Sequence, residues 1–374
     1  EVHALNSPFD RVMISEYNRY AVVYFSAGDE PGETEVFRNP NAVAVLDLEE
    51  GAIVEKTVRS FGDVPQGVIF SPPTMAPLEV DGTKGTERTL ATVFANGYIT
   101  FLDLDHPERR EITVHLTLPE SDLEVMPLKM AFVPDGGTAF LMAQGSDDIF
   151  AFTFTAQEPA EEEKNDFVVS INTLAAGSSP GDLAVYDDEG GDRRILVANR
   201  GSQDITVING ATAEFTTIPV GDPVDRLLLW PEDAPTLALA YSGATLEPAV
   251  HFLDLPEIDV KGSQNLSTLT LDGEMPVERI LTIPHQPRAL VVHDSARSVL
   301  SVLDLEDRTI TPIVAQSALV DYVITAGGDL LVGFTEASMK LGVIHLETLS
   351  TRTIPLAYMP RSLAALAPLE GLPE

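Results

Sequence analysis

The 374-residue chain contains no cysteine, which excludes disulfides, thiolate nucleophiles and thiolate metal ligands together. It is poor in basic residues: 23 Lys and Arg against 58 Asp and Glu leave a formal charge of −35. Such a field repels nucleic-acid phosphates and anionic lipid headgroups, so neither is expected as a partner, whereas cations and basic peptides are attracted. Tryptophan occurs once, at Trp230, so a stacked sugar platform has no support. No apolar run approaches the length of a membrane-spanning helix, and the opening residues EVHALNSPFD lack a basic-then-apolar leader pattern, as expected for the mature form of an exported chain. There is no GxSxG elbow, phosphate-binding loop, GxGxxG after a strand, or HxH or HExxH metal spacing. Nor does any long window sustain the i, i+3, i+4, i+7 spacing of an amphipathic helix.

What the chain does have is a repeat. Residues 222–230 read DPVDRLLLW, 275–283 read MPVERILTI and 7–14 read SPFDRVMI. The proline column continues as Pro8, Pro65, Pro127, Pro180, Pro223, Pro276, Leu319 (the one substitution) and Pro360, at intervals of 41 to 62 residues. A mean period of about 50 residues lies in the range of propeller and solenoid repeats. Each interval holds four short β-rich runs, the third ending in segments such as VAVLDL (43–48), ITFLDL (99–104) and LSVLDL (300–305). The pattern predicts an all-β fold: a seven-bladed β-propeller with four-stranded antiparallel blades, one domain over residues 1–374. Eight column positions against seven complete units leave one innermost strand over. The expected solution closes the ring with strands from both termini, residues 360–366 completing the first blade and removing a loose sheet edge.

Residues 195–209, ILVANRGSQDITVIN, resemble the YVTN-type β-propeller repeat, in which a strand ending in YVTN is followed by a polar turn and a strand like VSVID. Leu196, Val197, Ala198 and Asn199 occupy the YVTN positions, and Ile208 and Asn209 the ID positions. The resemblance implies a propeller architecture, and such proteins are commonly extracytoplasmic. With the acidic bias, it leads to an expected periplasmic or extracellular location.

The candidate site is the second residue after each proline: Asp10, Gly67, Lys129, Asp182, Asp225, Glu278 and Asp321, with Ser362 in the extra copy. On innermost strands this column would collect carboxylates at the mouth of a central channel, where they repel one another unless a cation or arginine intervenes. Arg11, Arg226 and Arg279 follow three of them and are the expected counter-charges. The alternatives are a Ca²⁺-like cation held by Asp10, Asp182, Asp225, Glu278 and Asp321, or a basic peptide docked there. The acids ending the third runs, Asp47, Asp103, Asp254 and Asp304, with Asn209 and His345 in the same column, are expected to start turns.

Variation falls in insertions at 26–41, 71–88, 156–166, 242–248 and 255–269, loops of the kind that carry binding on a rigid scaffold. The expected function is a non-enzymatic scaffold that binds another protein or joins a larger assembly, with no cofactor unless Ca²⁺. The alternative is a metal-dependent lactonase- or lyase-like enzyme using the acidic column.

Overall fold

A computed structural model describes the chain apart from residues 1–4, 8, 16–17, 27–38, 60, 73–87, 117–124, 134–136, 157–164, 166, 244–247, 259–264, 272–275, 295–298, 315–318, 320, 335–337 and 364–374. Most of the insertions at 26–41, 71–88, 156–166 and 242–248, and residues 259–264 of the one at 255–269, therefore lie outside the described residues. The chain divides into two compact units, Glu1–Thr217 and Ile218–Glu374. Seven four-stranded antiparallel sheets follow one another, each a meander whose strands pair in chain order. They cover residues 11–57, 67–115, 126–175, 180–219, 226–270, 279–314 and 321–355, as the repeat predicts. The only described helical element is a single 3-10 turn, Leu255–Glu257.

The two middle strands of each sheet explain why the units stack. In the second sheet, strand Leu90–Ala95 is buried along its whole length. Successive side chains point to opposite faces. Leu90 and Phe94 pack towards the third sheet, with Phe101, Phe152, Phe154 and Phe167. Ala91, Val93 and Ala95 pack towards the first, with Tyr20, Val22 and Val43. Phe101 meets Phe154 edge-on with ring centroids 5.2 Å apart, and Phe152 at 5.7 Å. In the second unit Leu237, Leu239 and Tyr241 of the fifth sheet join Ala289, Val291 and Leu303 of the sixth. Leu290, Val292 and Leu300 of the sixth join Leu331 and Ile344 of the seventh.

The first sheet differs from the expected closure. Its first place, beside Tyr20–Tyr24, is taken by the N-terminal strand Arg11–Ile14, not by residues 360–366. A local hairpin, in which Ser15 N–H donates to the Tyr20 carbonyl at 2.9 Å, costs less loop-closure entropy than recruiting a segment from the far end of the chain. Pro360–Leu363 form no strand, and residues 364–374 lie outside the described residues.

Several of the turns after the third strands follow one recipe. Asp47 Oδ1 accepts the N–H groups of Glu49 and Glu50, both at 2.9 Å. Asn209 Oδ1 accepts those of Ala211 and Thr212, and Asp304 Oδ1 those of Glu306 and Asp307. Four residues after each, the chain enters the left-handed region: Gly51 at φ 70°, Ala213 at 60° and Arg308 at 53°, with Leu349 at 55° in the His345 copy. Only glycine adopts this conformation without a Cβ penalty of about 1 kcal/mol or more. Ala213 is exposed. Ala213→Gly should therefore raise stability by about 0.5–1 kcal/mol in denaturant unfolding, and a loss of stability would contradict this turn geometry.

Candidate functional site

In the first unit the column carboxylates are bound into the scaffold. Asp10 Oδ1 accepts the Ser26 N–H at 2.9 Å, tying the start of the first strand to the end of the second. The buried Asp182 accepts its neighbour's N–H, from Leu183, at 2.8 Å, and Lys129 Nζ lies 2.5 Å from the same oxygen. Lys129 is the column member of the preceding sheet. One column position thus neutralises the next, because both side chains project from equivalent places on adjacent first strands.

The second unit repeats the arrangement with different partners. Asp225 Oδ1 accepts the Gly243 N–H at 3.2 Å. Asp321 receives Tyr322 N–H at 2.9 Å on Oδ1 and Leu363 N–H at 2.7 Å on Oδ2. The Glu278 N–H donates to the Val292 carbonyl at 2.8 Å. The arginines expected as counter-charges turn elsewhere: Arg11 to the Ser26 hydroxyl, Arg226 to the Asp225 carbonyl and Arg279 to the Tyr322 hydroxyl. Arg11 and Arg279 reach the flanking loop and the next sheet, while Arg226 folds back on the backbone of the preceding residue rather than on its carboxylate. Burial raises the Tyr322 pKa, and the hydrogen bond from Arg279 opposes that. Among the described residues, no group of three or more His, Asp or Glu has the geometry to hold a metal ion.

The strand-three acids are mostly the turn residues described above, but two have other roles. Asp103 is buried, with Arg88 at 3.3 Å and Arg109 at 3.7 Å; burial pushes its carboxyl up and the guanidiniums oppose the shift. Asp254, contrary to expectation, makes no side-chain bond to the 3-10 turn that follows it, because its carboxylate instead takes Arg308 Nη2 at 2.6 Å across to the sixth sheet. Two histidines lie inside sheets: His293 Nε2 is 2.9 Å from the Ser301 hydroxyl, and His251 Nδ1 is 2.9 Å from the Thr268 hydroxyl. Asn199, in the YVTN-like segment, is fully buried; its amide donates to Asp204 at 2.7 Å, Thr206 at 2.9 Å and the Val197 carbonyl at 3.3 Å. That side chain holds the second strand of the fourth sheet to the third across their polar turn.

A feature missed by sequence reasoning lies at the opposite end of the fifth and sixth sheets. Trp230 ends a first strand and, with the turn Thr282–Pro287 of the next sheet, walls a cavity of about 480 Å³. A second cavity of about 450 Å³ shares Trp230 and Glu306 and extends towards Asp254 and Arg308. The repeat alignment contained the signal, since Trp230 and the Thr282 turn occupy corresponding places in consecutive units and so face each other across the sheet boundary.

The sequence matches no protein-family profile and no curated protein. Among solved structures, it resembles dihydro-heme d1 dehydrogenase NirN in complex with DHE at 13% identity and a TM-score of 0.56, covering 94% of this chain and 66% of that one. The β-propeller domain of Myceliophteria thermophila Cps50 (Swd1) gives 9% identity and a TM-score of 0.48, covering 94% and 96% of the two chains. Kuenenia stuttgartiensis hydrazine synthase gives 12% and 0.44, covering 74% and 77%. The seven four-stranded sheets together with the NirN likeness define a β-propeller fold. At these identities the likeness extends to fold and not to chemistry.

His251 links the core to pH. Its side chain is 2% exposed, and burial lowers its pKa below the usual 6.5 while Asp222, 3.5 Å from Nε2, partly opposes this. A depressed histidine is neutral in the folded state while its unfolded counterpart takes up a proton. Stability is therefore full above about pH 6.5 and falls as pH drops towards the folded pKa. The thermal midpoint of the wild type should decline more steeply than that of His251→Gln between about pH 7 and pH 5. Parallel slopes would remove His251 as a cause.

Proposed function

We propose that this protein is a non-enzymatic binding scaffold whose partner is another polypeptide, alone or within a larger assembly. The observation that carries this reading is the first strand of the first sheet. Val12, Met13 and Ile14 are consecutive and 57%, 41% and 52% exposed. An apolar run on an edge strand is both a surface patch of the kind that marks protein contacts and a template for pairing with another chain. The engagement of Asp10, Asp182, Asp225 and Asp321 by N–H groups and Lys129 supports a structural use of the acidic column over Ca²⁺ binding or a lactonase- or lyase-like site. The Asn199 network favours the YVTN-type resemblance, and with it an extracytoplasmic setting.

Wild-type protein immobilised in an extract of its source should retain a polypeptide partner that the double variant Val12→Glu/Ile14→Glu loses. Because both side chains are exposed, the variant should keep its thermal midpoint. Unchanged capture would remove this strand as the contact.

The same reading treats residues 1–374 as one domain. The Leu363 N–H on Asp321 seats the eighth copy of the repeat beside the first strand of the seventh sheet. Deleting residues 358–374 should lower the thermal midpoint, and a truncated protein as stable as the full chain would leave the Leu363–Asp321 contact without a stabilising role.

A further inference from the structure

The cleft beside Trp230 is not required by the repeat, and we propose that it binds a lysine or arginine side chain presented by a basic segment of a partner polypeptide. The inference rests on the binding-scaffold reading and adds a second contact with defined chemistry. The half-buried indole of Trp230, with Pro284 and Pro287, offers an apolar bed for an aliphatic stem. Glu232, Asp233 and Glu306, all exposed, stand around it, and no Lys or Arg lines this cavity.

Among the described residues none of these three carboxylates accepts a side-chain hydrogen bond or joins an ion pair, in contrast to the column acids. The arginine of the adjoining cavity, Arg308, is already held by Asp254 at 2.6 Å and lies over the Phe252 ring at 5.4 Å, so it leaves the three carboxylates unneutralised. An aromatic wall with unneutralised carboxylates selects a cation with an apolar body, through cation–π attraction and charge-assisted hydrogen bonds. A volume near 480 Å³ suits one long side chain and its flanking residues. Anionic ligands are repelled by such a lining, and neutral polar ligands lack the charge assistance.

Because Trp230 is the sole tryptophan, its fluorescence reports occupancy directly. Titrating the intact protein with a short arginine-containing peptide blocked at both ends should change that fluorescence saturably. The same peptide carrying citrulline should not. The pair Glu232→Gln/Glu306→Gln should weaken binding by about tenfold. The pair Glu49→Gln/Glu50→Gln, which removes equal charge from an exposed turn of the first sheet, should leave it nearly unchanged. Thermal midpoints check that both pairs fold, and the single variant Asp233→Asn provides a milder version of the first.

Equal weakening by both pairs would show attraction to the acidic surface as a whole and overturn the site, as would the absence of a saturable response. The two contacts fail independently. Partner capture that depends on Val12 and Ile14, with no peptide effect on Trp230, would remove the cleft alone; saturable peptide binding without edge-dependent capture would leave the cleft standing.

Discussion

The second, third and sixth sheets of this protein each pack apolar side chains on both faces, and the fold depends on covering both. Strand Leu90–Ala95 has no side it could turn to water: one row of side chains needs the third sheet and the other needs the first. A single repeat is therefore not a stable object, and stability resides in the boundaries between repeats as much as within them. The two rows also differ in size. Leu90 and Phe94 meet the phenylalanine cluster of the third sheet, large against large, while the smaller Ala91, Val93 and Ala95 meet tyrosines and valines of the first.

Once the faces are committed to packing, the carboxylates gather at strand ends, and there they serve the backbone. The proline-column acids bind N–H groups next to the first strands, and the strand-three acids bind those of the following turns. An N–H left without a partner at the edge of an apolar core is costly, which gives an acidic side chain at these positions a structural use before any functional one. The carboxylates beside Trp230 belong to neither set, and that distinguishes them from the many other acids of a strongly acidic chain.

The architecture was readable from the sequence because it depends on period and alternation. The seven sheets begin where the proline column places them, and Asp47, Asn209 and Asp304 start turns as their chemistry requires. Side-chain partners were less readable. Arg11, Arg226 and Arg279 follow the column acids in sequence yet bind a hydroxyl, a carbonyl and a phenol, while the cation on Asp182 comes from Lys129 in the preceding repeat. Adjacency along the chain predicted the wrong pairs because on a strand neighbouring side chains point apart and equivalent positions on adjacent sheets come together. The Trp230 cleft escaped notice for the same reason: half of it belongs to one repeat and half to the next.

Within each unit, every hydrophobic cluster of the described residues joins consecutive repeats: first with second, second with third, third with fourth, then fifth with sixth and sixth with seventh. Such packing suits assembly during translation. A sheet emerging from the ribosome needs only the one made before it to begin covering its apolar faces, so little sticky surface waits for a distant segment. The slowly synthesised chain can thus bury its strands in the order in which it makes them.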